Sequence, residues 1–184
     1  MSTDVTTPTN VPLKNAAVAA ILAWLIPGAG HLYQGRTAKG LLFMICILGT
    51  FFFGMWLGDG RVVYASWRSD DWRLPYLCQI GVGLPALPAL VQTGLVAMGK
   101  EPLFDRRMAP PRQNPDDLSD WEKNPKIKFS LGSVYTMVAG LLNILAIYDA
   151  YDGPAIAGEE TDEADSDKRK KDPGGGHAPP AAGK

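Results

Sequence analysis

Apolar residues gather into four blocks separated by polar connections. Three of them, residues 38–57, 74–98 and 129–148, reach the roughly 20 apolar residues that a helix needs to cross a hydrocarbon core about 30 Å thick. The first carries no charge after Lys39, and the other two carry none at all. In lipid only a helix or a closed barrel satisfies its own backbone. The pattern therefore predicts an all-α membrane protein with about four transmembrane helices, the first two folded into a tight hairpin, and with disordered termini. The expected segments are a disordered 1–10, a two-helix membrane hairpin over 11–58, a short polar loop over 59–73 and a third membrane segment over 74–98. A polar, proline-rich connection follows over 99–128, then a last transmembrane helix over 129–153 and a disordered charged tail over 154–184. Pro85 and Pro88 remove backbone donors inside the third segment, which is read as kinked or re-entrant.

The remaining block, 16–26, is too short to cross alone. As a cleaved signal peptide it would use Lys14 as its charged flank and the small residues at 28–30 as its cleavage region. The preferred reading is a short helix over 13–26, with Lys14 snorkelling to the interface and non-helical chain completing the depth. Cleavage would discard the helix against which the next span packs. Pro27 stops that helix, while Gly28 and Gly30 make a sharp reversal cheap. Tyr33 and Trp24 suit the headgroup level, and Arg36 and Lys39 then fall just outside it. His31 either titrates near neutral pH or holds a ligand, or it braces carbonyls left open by the broken helix. With no carboxylate nearby in the sequence, the brace is the preferred role.

The order Pro27-Gly28-x-Gly30-His31-x-Tyr33-x-Gly35-Arg36, followed by Gly40 and a span, resembles the two-pass transmembrane domain, in which a glycine-rich turn and a Tyr-x-Gly-Arg element join two helices. That likeness covers about 45 residues. In place of the His-Arg-Phe-Tyr often seen there, this chain has His31-Leu32-Tyr33. The sequence is also similar to a family of uncharacterised small bacterial membrane proteins that pair this hairpin with a segment like 135–154. The resemblance implies a multi-pass protein of the bacterial inner membrane and supplies no reaction.

Composition sharpens this picture by contrast. The 184 residues have a net charge of -1 and a mean hydropathy of -0.03, an average that conceals apolar blocks set among charged ends. The charge argues against nucleic acid as a partner, since displacing counterions from phosphates needs excess Lys and Arg. Cys46 and Cys78 lie within apolar blocks and read as small hydrophobes. With His31 and His177 the only imidazoles, neither a metal site nor any other cofactor site is expected, and no catalytic set is evident.

Lipid tails give helices no hydrophobic reason to associate, so small residues must let backbones approach. Gly54 and Gly58 form one such spacing, and Ala16 with Ala20 and Ala19 with Ala23 form two more. Asn143, in mid-span, is expected to hydrogen-bond another helix. Asp149 and Asp152 lie three apart at the exit of the last span. They are read as membrane-border residues, although paired carboxylates also serve acid/base work. A turn near Leu118 and Trp121 is expected at the interface. Counting Lys and Arg, with the 27–39 turn and the 99–128 connection on one side, puts nine inside and both termini outside. The partners expected are the bilayer and further membrane proteins or copies of this chain. Three functions compete: a non-enzymatic assembly component, a transporter or channel component using Gly81, Gly83, Pro85 and Pro88, and an enzyme that would need His31 within reach of Asp149 or Asp152.

Overall fold

A computed structural model describes residues 15–68, 71–113 and 116–152. The expected disordered segments 1–10 and 154–184 lie outside them. The chain runs through α1 (Ala16–Leu25), α2 (Ala29–Tyr33), α3 (Thr37–Leu57), a two-residue hairpin of β1 (Trp67–Arg68) and β2 (Asp71–Trp72), α4 (Pro75–Gln79), α5 (Pro88–Ala97), α6 (Asp117–Lys123) and α7 (Phe129–Asp152). Short 3-10 turns occupy Ile80–Val82, Leu84–Ala86 and Phe104–Arg106.

Two helices, α3 and α7, are long and apolar enough to cross a membrane, with mean hydropathies of 2.2 and 1.7. Among the described residues no further helix reaches that length. The ten-residue α1 is too short, and the 74–98 segment is broken into α4, two 3-10 turns and α5. The expected hairpin also changes partners. α1 and α3 each pack mainly on α7, and the close reversal joins α1 to the five-residue α2.

The last helix is the axis of the fold. Its buried face carries Gly132, Ser133, Thr136, Ala139, Gly140, Asn143, Ala146 and Ala150 after Phe129 at its start. Its exposed face carries Leu131, Val134, Val138, Leu141, Ile144 and Leu145. Small and polar residues thus point inward and bulky apolar ones outward, the reverse of a water-soluble helix and the arrangement that lets backbones meet in lipid. Gly54 of α3 packs against it so closely that a Cβ there would lie 2.8 Å from the Gly132 carbonyl oxygen. Gly58 is used differently: the Val62 side chain fills the place of its missing Cβ. Of the two alanine spacings, Ala19 and Ala23 are the pair fully buried.

Two broken segments meet against α7. α1 ends beside Asn143, and the chain returns through Pro27 and Gly28 toward the far end of α7. From the other side, α4 and its following turn climb to the same level. Asn143 Nδ2 donates to the Ala23 carbonyl at 3.1 Å and to the Gly81 carbonyl at 2.9 Å. Each is the carbonyl that a helix would close with the residue four positions on, and those residues are Pro27 and Pro85, which have no N–H. One amide therefore satisfies both vacancies. Gly28 (φ 84°) and Gly83 (φ 81°) make the junction sterically possible, because a Cβ on them would strike the Gly40 and Trp24 carbonyls respectively. Trp24 donates its indole N–H to the Ile80 carbonyl at 3.2 Å, so it belongs to this junction and not to the level of Arg36.

Residues 62–66 depart from the expected polar loop. Val62, Val63, Tyr64 and Ala65 are wholly buried in chain that is neither helix nor strand. Side chains replace the ladder partners such a segment lacks. The Val62 carbonyl accepts from Gln79 Nε2 at 3.1 Å and Arg73 Nη2 at 3.2 Å, and the Ala65 carbonyl from Thr93 Oγ1 at 2.6 Å. Trp121, expected at the interface, instead packs on Tyr64 and Phe129 with ring centroids 6.3 and 6.0 Å away.

Replacing Asn143 with Leu should leave both carbonyls buried without a donor and lower stability by about 1–3 kcal/mol, measured by denaturant unfolding in detergent micelles. In the same assay Gly54→Leu should cost about 1–3 kcal/mol through overpacking. Gly49→Ala, whose Cβ meets nothing within 4 Å, should be neutral or stabilise by up to about 1 kcal/mol.

Candidate functional site at the Asp149 end

The reversal after α1 delivers a short polar stretch, residues 31–39, to the C-terminal turn of α7. That turn ends with carbonyls lacking intrahelical donors and with the negative pole of the helix dipole. The sequence answers both needs. Gln34 Nε2 donates to the Ala150 carbonyl at 2.5 Å. Arg36 and Lys39 supply positive charge. Lys39 Nζ lies 2.7 Å from Asp149 Oδ2 and 2.8 Å from Oδ1, and Arg36 Nη2 lies 3.5 Å from Oδ2.

His31 completes the cluster. Its Nε2 is 2.6 Å from Asp149 Oδ2, and its ring stands edge-on to Phe43 with centroids 4.9 Å apart. The imidazole is fully buried at 0% exposure. Burial holds its pKa below the ordinary 6.5, against the pull of the hydrogen bond and charge of Asp149; Arg36 and Lys39 add to the lowering. The ring is thus neutral at pH 7, with Nε2 donating and Nδ1 buried without a partner. Arg36 Nη1 is likewise buried and unpartnered. With His31 neutral, two cations face one carboxylate, and the cluster carries one positive charge in excess.

The structure brings together His31, Arg36, Lys39 and Asp149, which are separated by up to 118 positions in the chain. Asp152 stands apart from them, exposed and hydrogen-bonded to Tyr148. Pro27, Gly28, Gly30 and Gly40 shape the approach, with Gly30 seated against the Ala19 carbonyl and the Ala23 side chain. Gly35 (φ 82°) turns the chain from α2 into α3, and a Cβ on it would meet nothing. An imidazole bonded to a carboxylate is a general-base arrangement. The contact that an enzyme reading needs is thus present, and the carbonyl-capping role expected of His31 is not: its ring goes to the Asp149 carboxylate, reaches no solvent, and shares that carboxylate with Lys39 and Arg36. Among the described residues no group of three His, Cys, Asp or Glu is placed to hold a metal ion, and both cysteines are free.

The match that places the chain among known sequences spans residues 18–163, from α1 through the Asp149 cluster and beyond. The chain belongs to the DUF6677 family. This is a family of unknown function, and its matched region contains every residue of the cluster and the Asn143 junction. No curated protein and no solved structure matches the chain. For DUF6677, then, the site must be read from its own geometry.

Sequence reasoning missed the polar residues of the third block. Gln79 is fully buried, with Nε2 donating to Thr136 Oγ1 at 2.8 Å as well as to Val62. Gln92 binds the 103–107 loop through Leu103 and Arg107. The signal was present: an amide within an apolar block needs a partner, whether it is Asn143 or Gln79.

Because folding holds His31 neutral, the folded chain binds fewer protons than the unfolded one below pH 6.5, and its stability should fall as pH drops through that value. Unfolding midpoints measured from pH 8 to pH 5 should show this slope, and His31→Gln should remove it.

Proposed function

We propose that this is an integral, multi-pass membrane protein of the bacterial inner membrane acting as a non-enzymatic assembly component, joining copies of itself or other membrane proteins through helix faces. The observation that carries the reading is the inverted packing of α7, small and polar within and bulky apolar without. Polar groups at depth, Asn143 and Gln79, donate to protein partners, which favours a scaffold over a conduit.

Lys128 N–H donates to the Leu57 carbonyl at 2.9 Å, while Asp149 meets Arg36 and Lys39. The 27–39 turn and the 99–128 connection therefore occupy opposite ends of the bundle, not the same side as the sequence count assumed. Recounted, Arg61, Arg68, Arg73 and the seven Lys and Arg of 99–128 share one end, against Arg36 and Lys39 at the other. The positive-inside rule again puts the C-terminal end of α7 outside. Exposed Trp67 and Trp72 on the small hairpin suit an interfacial belt at the cytoplasmic end.

A transporter component is the second reading, favoured by two broken segments meeting at one level of the bundle. The two separate experimentally. After carbonate washing, the full-length chain should remain with the membrane. In nanodiscs it should run as discrete oligomers by mass photometry, and its proteoliposomes should hold ion gradients like empty vesicles. A monomer that dissipates those gradients would overturn the assembly reading in favour of transport.

A further inference from the structure

Between α3 and α7 runs an apolar groove of about 440 Å³, formed by Leu42, Phe43, Cys46 and Ile47 on one side and Leu142, Leu145 and Ala146 on the other, and ending at Asp149. From Leu142 to Asp149 it follows two turns of helix, about 10 Å. Its floor is closed by Ile47 and Ala146, at 1% and 2% exposure, and its walls stay open, with Leu42 and Leu145 at 59% and 66%. A slot of that length and lining fits part of a hydrocarbon chain.

Charge decides which chain. At the groove's mouth Lys39 reaches over the Phe43 ring, 5.7 Å from Nζ to the centroid, and pairs with Asp149 beside Arg36. Two cations there face one carboxylate and a buried imidazole. The Arg36 side chain is 21% exposed. Lys39 is 39% exposed, accessible to an approaching anion. Apolar depth capped by surplus positive charge favours a lipid with a net anionic head over a zwitterionic one.

We propose that the α3–α7 groove is a binding site for one anionic phospholipid, its acyl chain along Cys46 and Leu145 and its phosphate held by Arg36 and Lys39. The site rests on the membrane placement proposed above and adds a ligand to it. Lipid occupancy would supply the negative charge that Asp149 alone does not. It would also cover the apolar walls of the slot.

The test uses the full-length chain in phosphatidylcholine vesicles containing a trace of phosphatidylglycerol with a photoactivatable acyl chain. Adducts should map to 42–47 and 142–146, be competed by unlabelled phosphatidylglycerol, and fall about fivefold on Arg36→Ala or Lys39→Ala. Those variants also disturb the Asp149 brace, so Leu145→Trp, which fills the groove and leaves the cations in place, should remove the same adducts. Equal competition by phosphatidylcholine, displacement by inorganic phosphate, or adducts spread evenly around the bundle would overturn the site. Loss of the chain from the vesicles on carbonate washing would instead overturn the membrane placement.

Discussion

The fold turns on one amide. A backbone carbonyl buried without a donor is expensive anywhere and more so where no water can reach it. Pro27 and Pro85 each create such a carbonyl, at Ala23 and Gly81, and the two N–H bonds of Asn143 satisfy both. Breaking two helices at one level is tolerable only because a third, unbroken helix carries a two-donor side chain there. The prolines and the asparagine are one structural device distributed over three segments.

Around that device, size has replaced hydrophobicity as the organising variable. α7 is 39% buried along its apolar window and α3 22%, so α7 is the surface on which the other elements are arranged. Its glycines admit α3 at Gly132 and α4 at Gly140, where the Cys78 carbonyl occupies the space of the missing side chain. At its C-terminal turn the requirement changes from closeness to charge, and His31, Arg36 and Lys39 meet it. Packing and electrostatics thus divide the helix between them, with Asn143 placed at the change.

Much of this was legible in the sequence, and its limits have physical causes. Hydropathy and length pointed to α3 and α7, because twenty apolar residues in a row have few alternatives. Asn143 was readable as a helix tie from the cost of an amide at depth, and Pro27 and Gly28 as a reversal from backbone chemistry. Pro85 and Pro88 marked 74–98 as kinked or re-entrant, but the sharpness of the break, with Gly83 at φ 81° between two 3-10 turns, depends on the Trp24 carbonyl packed against that glycine and could not be read from the segment itself. The burial of 62–66 could not be read either: Val-Val-Tyr-Ala between polar neighbours looks like a loop until Gln79, Arg73 and Thr93 are seen to feed its carbonyls. The partner of His31 lay more than a hundred positions downstream, beyond any local pattern.

The Asn143 tie also fixes an order of events during biosynthesis. Ala23 leaves the ribosome 120 residues before the amide that will bind its carbonyl, a delay on the order of 10 seconds at ordinary translation rates. For that interval the first helix has no intramolecular donor for the bond its proline forfeits, and the same holds for His31 and Lys39 until Asp149 emerges. The last helix to be made is therefore the keystone that lets the first one settle.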